Sequence, residues 1–225
     1  MCVIHNILDH KKIIRWVERY FDKGLRPIPI HHPMDGCHCL YKNKEEECGD
    51  QCLGKVPKDK DWANKTYSIS DFNEPCNVAL AMGEQPNNKW LIAIDIDGFL
   101  PWWWFDELPS TLQSQTGRGI HYIFSVEKDS PFGNWTDIFH TRSKLTGYRL
   151  DHKGAVDIRY CRGAVIAPPS LHKSGSFYKW ESWIEPAILP YEYERDIINA
   201  HAQRRPNVKR YQKWSSWPEH KGKKP

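Results

Sequence analysis

Trp90-Leu91-Ile92-Ala93-Ile94-Asp95-Ile96-Asp97-Gly98 is the stretch on which the reading of this chain turns. Residues 90–96 are apolar except for Asp95, a run of strand length. Side chains alternate across a strand, so Asp95 and Asp97 share one face with Leu91 and Ala93, while Ile92, Ile94 and Ile96 line the other. Two carboxylates then project side by side, their α-carbons about 7 Å apart. Anions so placed repel, and desolvation adds cost, unless a cation sits between them. Asp97-Gly98 is by itself an ordinary turn opener. Asp95 is harder to dismiss, because burial there would otherwise demand an apolar residue. The arrangement asks for a metal ion.

Downstream, residues 120–126 read as a strand with Ile120, Tyr122, Phe124 and Val126 on one side and His121, Ile123 and Ser125 on the other. Thr116-Gly117-Arg118-Gly119 leads into it, a turn that lets backbone and a cation approach a phosphate. A lone strand His is usually a hydrogen-bonded structural residue, but this one follows the Gly-Arg-Gly turn and the paired-Asp strand. Residues 155–160 repeat the logic, with Val156, Ile158 and Tyr160 opposite Asp157 and Arg159. Asp157 is a third carboxylate for the same cations; the ordinary alternative is an Asp–Arg pair worth roughly 0–1 kcal/mol. After residues 164–167, Pro168-Pro169-Ser170-Leu171-His172-Lys173-Ser174-Gly175 is a stiffened loop presenting a hydroxyl, an imidazole and an ammonium group suited to triphosphate oxygens. Residues 177–180 follow as another short strand.

Upstream, Ile13, Ile14, Val17, Tyr20 and Phe21 recur at helical spacing over residues 7–23, with Gly24 placed to cap the end and Pro27 beyond. Residues 25–30 and 78–82 read as short strands. Between them Cys37-x-Cys39-x8-Cys48-x3-Cys52 bunches four of the seven cysteines. In a reducing compartment such a quartet more often binds metal than forms disulfides, and four thiolates suit a structural zinc ion. Free thiols, a disulfide, or replacement of one thiolate by His31, His32 or His38 are the alternatives.

The 225 residues, 40% hydrophobic and 13% aromatic, suffice for one compact domain or two tightly joined subdomains. Apolar runs fall far below the roughly 18 residues of a membrane span. The first residues lack the order of a signal peptide, so a cytoplasmic location is expected. Lys and Arg number 32 against 28 Asp and Glu, yet residues 204–225 hold eight of the cations and one acid. That basic tail, with Tyr211, Trp214 and Trp217, is either a solvated end or an arm that attracts phosphate and stacks on bases. Trp102-Trp103-Trp104 is read as core before stacking platform, and residues 183–202 as a connector, helical from residue 192 onward.

Taken in order, Ile94-Asp95-Ile96-Asp97-Gly98, Thr116-Gly117-Arg118-Gly119-Ile120-His121, Val156-Asp157-Ile158-Arg159 and Ala167-Pro168-Pro169-Ser170-Leu171-His172 closely resemble the bifunctional DNA primase/polymerase family of the archaeo-eukaryotic primase superfamily. The likeness extends upstream to Arg26-Pro27-Ile28-Pro29, Gly54-Lys55-Val56-Pro57 and residues 77–83. It implies an α/β (α+β) primase-polymerase fold, an N-terminal α/β portion packed with an RRM-like catalytic sheet, the active site in the groove between. The catalytic domain is expected over residues 1–185, with a zinc-binding insertion at 31–57, and a connector and basic tail over 186–225. Asp95, Asp97 and Asp157 match the family's metal-binding motifs and His121 its nucleotide-binding His; Ser170 and His172 match the triphosphate loop, with Arg118, Arg159 and Lys173 as further phosphate ligands. Many relatives carry a small hydroxyl residue where Gly119 stands.

The implied reaction is nucleotidyl transfer to a 3′ hydroxyl on a DNA template and primer, using nucleoside triphosphates and two Mg2+ or Mn2+ ions, with Zn2+ as an architectural ion on Cys37, Cys39, Cys48 and Cys52. A helicase or other replication protein is an expected partner. A metal-dependent nuclease is disfavoured because hydrolysis needs no pyrophosphate site. A non-catalytic nucleic-acid-binding replication initiator is the remaining alternative.

Overall fold

The computed structural model describes residues 2–38, 52–98, 108–117, 119–136, 138 and 155–204. Its elements are helix α1 (Cys2–Asp22), β1 (Pro27–Ile30), β2 (Asn77–Ala81), β3 (Gly83–Glu84), β4 (Trp90–Asp97), β5 (Leu112–Gln115), β6 (Gly119–Val126), β7 (Ala155–Arg159), β8 (Ala164–Ala167), β9 (Lys179–Ser182) and helix α2 (Tyr191–Arg204), with 3-10 turns at Pro33–Asp35 and Ile69–Phe72. α1 stops where its sequence says it should. Gly24 takes φ +71°, and the N–H groups of Leu25 and Gly24 return to the carbonyls of Tyr20 and Phe21, each at 2.9 Å.

The described strands form two antiparallel sheets, β1-β2-β8 and β3-β4-β6-β5-β9, with β7 added to β4. One edge of β4 is shared: β3 pairs with Trp90 and Leu91, and β7 with residues 93–97. The alternation read in β4 is realised on both faces. Leu91 and Ala93 join Ile13, Val17 and Tyr20 of α1 and Val78, Leu80 and Val165 of the small sheet in one core. Ile92, Ile94 and Ile96 join Phe124, Val156 and Ile158 in a second, which Tyr193, Ile197 and Ala200 of α2 cover. A strand buried on both faces needs apolar residues at every position, which makes the exceptions, Asp95 and Asp97, conspicuous.

Three sequence expectations change. β5 and β3 had no apolar pattern to announce them; Leu-Gln-Ser-Gln buries only Leu112 and Ser114. β9 begins at Lys179 rather than at 177, because Phe177 instead bridges Leu171 and closes the intervening loop. The segment after 185 is no mere connector: α2 packs onto the sheet and belongs to the folded unit. No helix among the described residues is long and apolar enough to cross a membrane.

Candidate active site

The site is set by strand register. Asp95 on β4 lies directly opposite His121 on β6 and directly opposite Asp157 on β7, and His121 in turn faces Ser114 on β5. Directly paired residues project to the same side of a sheet. Ser114, His121, Asp95 and Asp157 therefore form one polar row across four strands. Asp97, two residues further on, stands on the same face opposite Gly119 and Ala155.

His121 is 5% exposed and held from both ends: its Nε2 lies 3.3 Å from Asp95 Oδ1 and its Nδ1 3.4 Å from Ser114 Oγ. Burial pushes the Asp95 carboxyl up, but the charge and hydrogen bond of His121, with smaller contributions from Arg159 and Lys55, outweigh it and hold the group below the ordinary carboxylate range. Asp157 is paired with Arg159, Oδ2 to NH2 at 2.7 Å. Among the described residues the three carboxylates do not close to within 4.8 Å of one another. They are neighbours on one face, and a divalent cation there has to compete with the Arg159 guanidinium.

A cavity of about 400 Å³ opens over this row, lined by Asp95, His121, Arg159 and Tyr178 together with Lys55 and Arg162. Neither of the last two was given a role in the site from the sequence, although Lys55 lies in the Gly54-Lys55-Val56-Pro57 stretch. Lys55 reaches the cavity from the turn after Cys52, closed by its N–H to the Cys52 carbonyl at 3.0 Å. Arg162 sits at φ +62°, a left-handed position uncommon for a non-glycine residue, in the turn between β7 and β8. Gly54-Lys55 and Arg162-Gly163 are the only sequence traces of either, a cation beside a turn glycine.

The loop after β8 is placed differently from the expectation. Ser170 is fully buried, and its hydroxyl accepts from the Val78 N–H and donates to the Val78 carbonyl, both at 2.9 Å. It is not presented to a triphosphate; it fastens the loop to β2. Buried Asn77 does the same next door, bonding both the N–H and the carbonyl of Leu171 and the carbonyl of Gly54. Tyr20 of α1 donates to the Pro168 carbonyl and accepts from Trp180 Nε1. His172, so anchored, packs its ring against Tyr178, which also stacks beside His121, with centroids 6.0 and 6.1 Å away. A Cβ on Gly117 would come within 2.9 Å of the His172 ring, so the turn before β6 and the loop after β8 meet there. Lys173 is exposed at the loop tip.

Gly119 has a steric reason: a Cβ would fall 1.7 Å from the Ile96 carbonyl oxygen, so no hydroxyl-bearing side chain fits. Thr116 Oγ1 accepts from the Gly119 N–H at 2.9 Å and closes the turn before β6. Arg118, Cys39, Cys48, the Trp102-Trp103-Trp104 run and residues 205–225 lie outside the described residues. Of the cysteine quartet, Cys37 and Cys52 bring their sulfurs within 2.8 Å.

A search among curated proteins returns no match. The family model described as bifunctional DNA primase/polymerase, N-terminal, matches residues 17–192, a span that contains the polar row, the cavity residues and every described strand. The chain belongs to the bifunctional DNA primase/polymerase family, one of nucleic-acid-synthesising enzymes.

Proposed function

We propose that this chain is a template-directed nucleotidyltransferase, a DNA primase or polymerase, extending a 3′ hydroxyl from nucleoside triphosphates. The observation that carries the reading is the register that sets Asp95 between His121 and Asp157, beneath a cavity ringed by Lys55, Arg159 and Arg162. Anionic ligands for cations and cationic ligands for phosphates face one space, which phosphoryl transfer requires because its catalysis is largely positioning and electrostatics.

Asp95, Asp97 and Asp157 offer hard carboxylate oxygens that suit Mg2+ or Mn2+, and Asp95 is ionised well below neutral pH. Divalent ions there would supply charge neutralisation for the attacking and departing oxygens. His121, fixed by Asp95 and Ser114, lines the cavity together with Tyr178. Lys55, Arg159 and Arg162 neutralise the triphosphate. His172, with Lys173, guards the approach from the loop, while Ser170 acts at one remove by holding that loop.

Incubation with Mg2+ or Mn2+, a primed template and labelled nucleotides tests the reading. Extension is expected, and Asp95→Ala should lower it by at least about a hundredfold while leaving the far-UV circular dichroism unchanged. Shortening of the primer would establish a nuclease instead; neither, a binding module. Omitting the primer separates synthesis de novo from extension.

A further inference from the structure

Where the chain leaves β1 it folds back through His31-His32-Pro33-Met34-Asp35-Gly36-Cys37-His38. The 3-10 turn Pro33–Asp35 is closed at its start from both directions: His32 N–H donates to Asp35 Oδ2 at 3.1 Å, and His32 Nδ1 accepts from Met34 N–H at 3.3 Å. This reversal lays His38 on His31, ring centroids 3.6 Å apart and planes 4° from parallel. Aromatic rings left to themselves favour offset or edge-on contacts over such a sandwich. The Nε2 of His38 is buried with no hydrogen-bond partner, a cost that a ligand at that nitrogen removes.

The ligating atoms of His31, Asp35 and His38 all lie within 4.8 Å of one another. Ligands on a tetrahedral zinc ion sit about 3.3 Å apart, given bonds near 2.0 Å, so side-chain adjustments alone can close the set. The hydrogen bond from His32 N–H already orients the Asp35 carboxylate and leaves its other oxygen for a ligand. We infer that this turn binds one divalent transition-metal ion through the imidazoles of His31 and His38 and the carboxylate of Asp35. Two imidazoles select the zinc, copper and nickel class over Mg2+ or Ca2+, and so set this site apart from the carboxylates of β4 and β7. It also differs from an all-thiolate centre on the cysteines.

The ion has an architectural consequence. His31 N–H donates to the Val56 carbonyl at 2.9 Å, and Pro57 bridges Ile30. Lys55, one residue before Val56, lines the cavity over Asp95. Clamping His31 thus steadies the turn that delivers Lys55.

The whole chain, stripped with a chelator, is titrated with Zn2+ against a chromophoric competitor. One equivalent is expected to bind, at least tenfold more weakly in the His31→Ala/His38→Ala double variant and with little change in Cys37→Ser/Cys52→Ser. Binding unaltered by loss of both imidazoles, or no binding by the wild type, overturns the inference. Because a substituted turn could misfold, pulsed electron paramagnetic resonance of the Cu2+-loaded wild type provides a second reading. Nitrogen modulation from two coordinated imidazoles is expected, and its absence rejects the site. Neither measurement depends on polymerase activity, so the two proposals stand or fall separately.

Discussion

Asp95 and Asp157 take their chemistry from their neighbours across the ladder. His121 at 3.3 Å keeps Asp95 charged in spite of burial, and the Arg159 guanidinium at 2.7 Å neutralises Asp157 as a metal ion would. Lys55 approaches from a distant part of the chain and lines the cavity over Asp95. Lys55→Ala should raise the nucleotide KM roughly tenfold, equivalent to about 1.4 kcal/mol, with a smaller effect on kcat and none on the unfolding midpoint; steady-state kinetics check it. Gly119 is limited by space rather than chemistry. Gly119→Ala has to displace the Ile96 carbonyl from the β4–β6 ladder, and urea unfolding should register a loss of about 2 kcal/mol or more.

At the scale of elements, short turns carry much of the positioning. The 3-10 turn Ile69–Phe72 is capped by Asp71, whose Oδ2 accepts from the Ser68 N–H at 2.9 Å and whose Oδ1 lies 3.2 Å from Lys65 Nζ. The hydrogen bond from the Ser68 backbone, with the Ser68 hydroxyl and Lys65, overcomes a raising contribution from burial and lowers the Asp71 carboxyl below its ordinary value. A carboxyl so lowered stabilises the fold when ionised, fully above its unfolded value near about 4 and progressively less as pH falls through the folded value. Asp71→Ala should therefore cost about 1 kcal/mol at neutral pH, and the gap between variant and wild type should close in denaturation curves recorded below about pH 4. The loop after β8 is fastened by buried polar residues, Ser170, Asn77 and Tyr20, each on a different element. None of these anchors shows in local sequence, because each is satisfied by a partner 92 or more residues away.

At the scale of the molecule, the larger sheet is sandwiched. α1 and the small sheet cover the face bearing the polar row, and α2 covers the opposite one. The first cover is incomplete over Asp95, and the cavity is that gap. In the second, Ile197 is fully buried and Ala200 nearly so. Ending the chain at residue 186 should expose Ile92, Ile94 and Phe124. Size-exclusion chromatography and dye binding are expected to report aggregation or a loosely packed state, whereas a truncation after residue 204 should stay monodisperse with native-like unfolding.

The chain by itself determined the strands whose apolar alternation is strong, the glycine stop of α1, and the carboxylates and His that break those alternations. Such interruptions are legible because period-two patterning leaves a charged residue in a buried strand no ordinary explanation. Tertiary structure alone decided which strands lie side by side, and hence that His121 and Asp157 flank Asp95. It decided as well that Ser170 faces inward while Lys55 and Arg162 face the cavity, and that His38 returns onto His31. These are contacts between residues far apart in sequence or brought round by turn geometry. The physical reason is that a side chain's direction at a turn, and its partner across a ladder, follow from pairing register and packing, neither of which is a property of the local residues.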